Sequence, residues 1–282
     1  MTDTPLISII TPCYNRVDFI DRCTGSIPEH VRPWVEHIIV DGGSTDGTVE
    51  KLKNQPHARW MSEPDKGLYD ALNKGIRLAK GQYIGFLATD DFLDEAFFDA
   101  VRSHLGGQCD IEAVSFDIRI HGRGETIFKK SCALDEFSMI DGKVLLFSML
   151  IRREIFLGIM FDDSFKIAGD LEAGLRLAKK ASKKSHINAV MLNFWRHEGS
   201  LTGHSGTGRD REFDEVFRIL KKEFVHSLAK SKLFNLICLR FLQIGRYFYH
   251  SGGFARFKGR YDLLAFYSIC RCLRAMRIIS EA

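Results

Sequence analysis

Tyr83-Ile84-Gly85-Phe86-Leu87-Ala88-Thr89-Asp90-Asp91 runs from an apolar segment straight into two adjacent carboxylates. The apolar part has the length and aromatic content of a buried strand. Asp90 and Asp91 then fall at its carboxyl end, and in open α/β sheets that edge is where ligands bind. Neighbouring carboxylates repel one another unless cations or hydrogen-bond donors answer them. A divalent cation shared with a diphosphate would do so, because Mg²⁺ takes one or two carboxylates together with phosphate oxygens. The plain alternative is that the pair caps a helix starting near Phe92.

Upstream, strand and helix signals alternate. Leu6-Ile7-Ser8-Ile9-Ile10 is a short β-branched run that reads as a first strand, with Pro12 ending its ladder. Residues 19–26 look helical. His37-Ile38-Ile39-Val40 is a second strand, closing on Asp41-Gly42-Gly43-Ser44-Thr45-Asp46-Gly47, a loop with helix-capping chemistry before a helix over 48–53. Ala58-Arg59-Trp60-Met61 is a weaker third strand. Leu68, Leu72, Ile76 and Ala79 then fall at helical spacing, with Tyr69 and Asn73 sharing one face. Short connections between such elements predict an α/β fold, a doubly wound and mostly parallel sheet flanked by helices.

Further on the pattern is less regular. Strands are expected over 111–120 and 125–128, paired as a hairpin, and an apolar run over 145–151 precedes a short helix. A helix through Leu171 and Leu175 has Asp170 at its expected N-cap. A strand over 187–194 leads into Trp195-Arg196-His197, a loop follows beyond Gly203, and residues 210–230 read as a charged helix.

The bulk numbers set limits. With 282 residues, 45% of them hydrophobic, the chain buries a real core, and its net charge is only +4. That charge is uneven. From Ser227 onward there are ten Lys/Arg against two acids, leaving thirty Lys/Arg against thirty-four acids before it. The acidic body argues against a nucleic-acid partner. Seven scattered cysteines without a C-x-x-C pair, and no secretory h-region, predict a reduced, cytoplasmic setting. No zinc-like His/Cys spacing and no membrane-spanning run is present in the sequence.

Asp41, Asp65, Asp90-Asp91 and Asp170 each follow a strand or open a helix. Any one is ordinary; several meeting at one sheet edge would need cations and donors to balance them. In their order and spacing, the runs around them resemble family 2 glycosyltransferases with the GT-A fold. The matching runs are Ile9-Ile10-Thr11-Pro12-Cys13-Tyr14-Asn15, Ile39-Val40-Asp41-Gly42-Gly43-Ser44-Thr45-Asp46-Gly47-Thr48, the stretch from Ser62-Glu63-Pro64-Asp65-Lys66-Gly67 to Ile76, and Leu87-Ala88-Thr89-Asp90-Asp91. Gly169-Asp170 and Arg196-His197 carry the likeness to about residue 202.

The resemblance implies roles. Thr11, Pro12, Tyr14 and Asn15 would line a nucleotide pocket, with Tyr14 near the base, and Asp41 would accept a hydrogen bond from that base. Asp65 and Lys66 would lie by the nucleotide and its phosphates, and Asp90 by ribose or sugar hydroxyls. Asp91 would hold a divalent cation, Mn²⁺ or Mg²⁺, bridging the diphosphate. Many relatives carry Asp-x-Asp here; its first position is Ala88 in this chain, and the adjacent pair remains. Asp170 matches the general base, and Arg196 and His197 a loop that folds over the donor. The implied activity is inverting transfer of a sugar from a nucleotide-diphosphate sugar, UDP-linked first of all, to a hydroxyl of a glycan or lipid-linked acceptor in polysaccharide biosynthesis.

On this reading residues 1–226 form the GT-A domain and 227–282 a basic, aromatic, helical extension. The extension either packs on the domain or lies on an anionic membrane, which would put the protein at the cytoplasmic face of the inner membrane. Other functions make different demands on the sequence. A sugar-nucleotide nucleotidyltransferase would need a Gly-rich, basic phosphate loop where Thr11-Pro12-Cys13-Tyr14-Asn15 stands. A non-catalytic nucleotide-sugar binder or scaffold would keep the pocket without turnover.

Overall fold

The computed structural model describes residues 4–55, 57–106, 110–122, 125–195, 197 and 206–227. Its contacts divide the chain into two compact units, Met1–Gly203 and His204–Ala282. Arg196, the loop beyond Gly203 and the basic extension from residue 228 onward lie outside the described residues. In the second unit the described part is one helix.

The first unit runs β1 (Ile7–Cys13), α1 (Ile20–Gly25), β2 (Val35–Asp41), α2 (Thr48–Lys53), β3 (Arg59–Ser62), α3 (Leu68–Leu78), β4 (Tyr83–Phe86), β5 (Phe92–Leu93) and α4 (Phe97–Leu105). It continues through β6 (Ala113–Gly122), β7 (Glu125–Lys129), α5 (Glu136–Ile140), β8 (Met149–Arg152), α6 (Arg153–Leu157), α7 (Gly169–Lys180) and β9 (Lys184–Trp195). The second unit contributes α8 (Gly206–Ser227). One sheet holds every strand in the order β3-β2-β1-β4-β8-β6-β9-β5, with β7 on β6.

The doubly wound α/β sheet flanked by helices is present. Its parallel part comprises β3-β2-β1-β4 and the β6/β9 pair, whereas β8, β5 and β7 pair antiparallel. The four N-terminal strands therefore all end at one edge. β1 and β4 are buried on both faces, which is why they read as continuous apolar runs. On one side α3 sets Leu72 and Ile76 into the core; on the other, Phe97, Phe98 and Val101 of α4 pack with Ile7, Ile9, Val114 and Phe116. Each such fully buried side chain contributes about 1.5–3 kcal/mol.

Three local expectations change. β1 passes through Pro12, in register with Val40, instead of stopping there. Leu87 N–H donates to Ile10 O and Gly42 N–H to Cys13 O, so alternate residues of β1 face β4 and β2. Pro12 shares Ile10's side, and β4 pairs no further than Ile10, so the missing N–H removes nothing from the ladder. No helix starts near Phe92. The Asp pair turns instead into the two-residue β5, and α4 begins at Phe97, so Asp90 and Asp91 are not caps. Asp170 lies inside the first turn of α7 rather than at its N-cap, which is Ala168.

His37 on β2 is buried and its Nε2 is 2.9 Å from Thr11 Oγ1. Burial pushes its pKa down from 6.5 to about 4. The unfolded chain therefore protonates first as pH falls, and stability present above the higher value is lost through the window down to the lower one. The loss is about 1.4 kcal/mol per pH unit, or roughly 3 kcal/mol across the window. Urea unfolding of His37→Gln, which cannot titrate, is expected to lack this slope. Parallel pH profiles for wild type and variant would contradict the assignment.

Candidate active site

The loops that leave β1, β2, β3 and β4 crowd the shared edge of the parallel strands, and hydrogen bonds sew them together. Asn15, half-buried and held at a positive φ of 51°, accepts from Thr45 N–H at 2.9 Å and donates its own N–H to Ser44 Oγ at 2.7 Å. A short polar residue tolerates that backbone conformation. Asp41 is wholly buried at the end of β2. Its Oδ2 accepts from Gly43 N–H at 3.1 Å, Ser44 N–H at 2.9 Å and Ser62 Oγ at 2.6 Å, and its Oδ1 from the Ser44 hydroxyl. Asp65 packs directly on this turn. A Cβ at position 42 would fall 2.4 Å from its Oδ2, so a larger residue there would have to displace the Asp65 carboxylate. Asp65 Oδ1 also accepts from Gly67 N–H at 2.8 Å, which orders the entry to α3.

Next along the edge are Asp90 and Asp91. Asp91 is 1% exposed; its Oδ1 accepts from Trp195 N–H at 2.8 Å, and its Oδ2 is buried with no hydrogen-bond partner among the described residues. Burial, reinforced by the adjacent Asp90, pushes the Asp91 carboxyl well above the usual carboxylate range, while the Trp195 N–H and Arg22 pull the other way. An orphaned buried oxygen costs about 1–3 kcal/mol. The Asp90 carboxylate meets His197 Nε2 at 3.0 Å, and the His197 ring stacks on Phe19 at 5.0 Å. Arg22 of α1 donates to the Asp90 carbonyl and lies over the rings of Phe92 and Trp195, 5.1 and 4.9 Å from their centroids.

Asp170 reaches the same side through α3. Tyr69, in the first turn of that helix, donates its hydroxyl to Ile167 O at 2.6 Å and accepts from Asp170 N–H at 3.2 Å. Its ring lies under Gly169, where a Cβ would come within 2.7 Å of it. Asn73, on the same face, brackets Phe161 with two 2.9 Å bonds to its N–H and C=O. Two polar side chains four residues apart thus fix the approach to α7. Asp170 Oδ1 accepts from Leu171 N–H at 2.8 Å. Lys166 Nζ donates to Lys66 O at 2.8 Å, tying this segment to the Asp65 loop. The Lys66 side chain is three-quarters exposed, its Nζ 3.7 Å from Asp163.

A sequence profile of glycosyl transferase family 2 matches residues 8–162 and so spans the loops after β1 to β4, leaving out the start of α7 and the end of β9 with His197. The chain belongs to glycosyl transferase family 2. Among curated family members it is 39% identical over 244 residues to chondroitin synthase of Escherichia coli, covering 82% of this chain and 35% of that protein. It is 40% identical over 241 residues to chondroitin synthase of Pasteurella multocida, covering 82% of this chain and 25% of that one. The chain thus spans about a third or less of these relatives. Among solved structures, the 1–349 fragment of Staphylococcus aureus TarS superposes with a TM-score of 0.67 at 15% identity, over 97% of this chain and 83% of that fragment. A mannosyltransferase of Pyrobaculum calidifontis, solved with GDP-Man and Mn²⁺, gives 0.53 at 16% identity, over 96% and 87% of the two chains. The fold is that of the GT-A enzymes.

Within this GT-A frame the predicted residues divide. Tyr14, Asn15, Asp65, Lys66, Asp90, Asp91 and His197 lie on the loops of the edge, with Pro12 and Asp41 at the ends of β1 and β2, and Tyr14 is 59% exposed. Thr11 does not line a pocket. It is wholly buried, bonded to His37 and 3.8 Å from Cys23 Sγ, because an inner strand buries both faces and its pattern cannot tell which one a side chain takes. The sequence set Tyr69 on a helix face within a matching run but gave it no role, and gave Arg22 none, since their partners lie 101 and 68 residues away. A Ser115-His186-Asp117 series also exists, at 3.1 and 3.3 Å. Ser115 is wholly buried and donates to Cys132 O at 2.5 Å, so it is no nucleophile. Among the described residues no group of three or more His, Cys, Asp or Glu side chains stands ready to hold an ion, and no helix is long and apolar enough to cross a membrane.

Proposed function

We propose that this chain carries a metal-dependent, inverting glycosyltransferase activity that moves a sugar from a UDP-linked donor to a hydroxyl of a growing glycan or lipid-linked acceptor. The observation that carries the reading is Asp91, a carboxylate with one buried, unpartnered oxygen beside a second carboxylate at the sheet edge. Such an oxygen is relieved when it takes up a proton or when a cation comes to it, and a cation shared with a diphosphate balances the charge of both at once. A hard divalent cation suits this oxygen: Asp91 would be its protein ligand and the diphosphate would offer further oxygens, while Asp90 beside it would meet ribose or sugar hydroxyls. Bound there, the ion would relieve charge on the leaving diphosphate.

The chain's own residues do the rest. Asn15 and the Asp41 turn fix the loops that would seat the nucleoside, and Tyr14 offers it an exposed ring. Asp65 and Lys66 adjoin them at the diphosphate. Asp170, on a different element from the Asp pair, would take the proton from the acceptor hydroxyl while that oxygen attacks the anomeric carbon opposite the leaving group. A single displacement of this kind inverts the centre. The choice of UDP has support from TarS, which is solved with UDP-GlcNAc at a TM-score of 0.61 and 16% identity. The polysaccharide acceptor has support from the chondroitin synthases. Under this proposal the protein works in the cytoplasm, with the residues after 226 as a membrane-facing extension.

The test is a thermal-shift panel of UDP-, GDP- and dTDP-sugars with and without Mn²⁺. UDP-sugars with Mn²⁺ are expected to raise the unfolding temperature, by about 2.7 kcal/mol of stabilisation at a hundredfold excess over Kd. Slow Mn²⁺-dependent hydrolysis of the same donor should accompany it. Stabilisation without any hydrolysis or transfer would favour the non-catalytic binder.

A further inference from the structure

The far end of the sheet carries a second surface that the donor site does not use. Along β6 the even residues Phe116 and Ile118 enter the core with Leu192, Leu93 and α4. The odd residues face the other way. Ser115 and Asp117 on that face are covered by residues 131 and 132, through bonds to Cys132 O and from Ser131 N–H. That segment leads into α5, whose Met139 packs against Gly174 of α7, the helix that carries Asp170. The face therefore looks to the α7 side.

Past Ser131 the same face continues with Arg119 and His121, in register with Asn193 and Trp195 of β9. The His121 ring stacks on Trp195 at 5.4 Å and on Phe92 at 6.1 Å, with interplanar angles of 23° and 24°. Asn193 Oδ1 accepts from Arg119 at 3.0 Å and is 3.0 Å from His121 Nε2. Beyond them Phe128 of β7 is 64% exposed and lies under the Arg119 guanidinium, 5.2 Å away, and Trp195 is 38% exposed. Exposed aromatics flanked by a guanidinium, an amide and an imidazole on one sheet face offer the mixed apolar and polar contacts of a binding surface. The surface also adjoins the carboxylate pair, since Phe92 follows Asp91 and the Trp195 N–H holds Asp91 Oδ1.

We propose that this face is the acceptor subsite, where the acceptor's sugar rings stack on Trp195 and Phe128 while Arg119 and His121 hydrogen-bond their hydroxyls. This rests on the glycosyltransferase reading and names the surface that meets its second substrate. A pyranose presents an apolar C–H face with polar groups at its rim, which is what aromatic planes flanked by guanidinium, amide and imidazole recognise. Trp195 and Phe128 are two strands and two residues apart, about 12 Å on sheet geometry. That separation places them under different rings of a chain. Trp195 serves the ring near the reacting end, and Phe128 serves only longer acceptors.

The test is direct binding, without donor, of chondroitin and hyaluronan fragments of two and six sugars to the full chain. The wild type is expected to bind the longer fragment of at least one series more tightly. Phe128→Ala should lower that affinity roughly fivefold or more, towards the short fragment's value, and leave the short fragment unaffected. His121→Ala should weaken both. Absence of binding by the wild type, or equal affinities in all three proteins, overturns the acceptor subsite. A separate UDP-GlcNAc and Mn²⁺ thermal shift on the same samples reports on the donor site alone, so its failure would count against the proposed function instead.

Discussion

Asp91→Asn is expected to raise the unfolding temperature of the free protein at neutral pH and, in the same molecule, to abolish Mn²⁺-dependent stabilisation by UDP-sugars. The two effects share one cause. Asp91 is 1% exposed, stands beside Asp90, and has one oxygen without a hydrogen-bond partner. Its folded pKa is raised above the unfolded one, by burial first and the neighbouring charge second. A carboxyl of that kind contributes stability below its unfolded pKa and loses it as pH rises from there through the folded value, so at pH above the unfolded value the buried carboxyl is a liability. The neutral amide removes the charge, keeps an oxygen for the Trp195 N–H, and can donate towards Asp90. A gain of roughly 1–3 kcal/mol is expected from relieving the unsatisfied group, or about 2–4 °C for each kcal/mol in a chain of this size. The advantage should shrink towards acid pH, where Asp91 in the wild type is itself protonated. A variant less stable than wild type at neutral pH, yet still stabilised by donor with Mn²⁺, would contradict both halves. An increase in stability joined to loss of binding is the signature of a residue kept for function against its energetic cost.

How far such a site can be read in advance depends on where its partners lie. β1, β2 and β4 were legible because buried parallel strands read as apolar runs and their exits as Gly, Asp and Ser clusters, while β3, more exposed, gave a weaker signal. The Asp90-Asp91 turn was legible for the same reason, as a charged end on such a run. What followed it was not. Phe92-Leu93 is too short to announce itself as a strand, and its pairing with Asn193 and Leu192 is a contact across a hundred residues. Thr11 was misassigned because a strand buried on both faces has no polar side to point at. Asp170 was legible as a helix-start carboxylate, but the reason it sits inside the first turn is tertiary. Tyr69 occupies the space beneath Gly169 and takes the Asp170 N–H. Arg22, which steadies the Asp90 turn and stands between two aromatic rings, carries no local signal at all.

Asp170→Asn is the substitution expected to cost most in turnover while changing least in structure. The amide keeps an oxygen for Leu171 N–H, and the backbone bond to Tyr69 does not involve the side chain, so the start of α7 should hold its place. Donor affinity, read by thermal shift with UDP-sugar and Mn²⁺, should stay close to wild type because the loops of β1 to β4 are untouched. The rate of transfer should fall by about 10²–10⁴, the usual worth of a positioned general base. A helix-start carboxylate with no chemical role would behave differently: removing its charge would cost at most about 1 kcal/mol of stability and leave turnover intact. Donor hydrolysis separates these outcomes further. If Asp170 draws the proton from whatever oxygen attacks the anomeric carbon, water is activated by the same carboxylate, and hydrolysis should drop by a similar factor. Wild-type transfer in the variant would remove the base from α7. Loss of transfer with undiminished hydrolysis would mean that Asp170 positions the acceptor and that its proton leaves by another route.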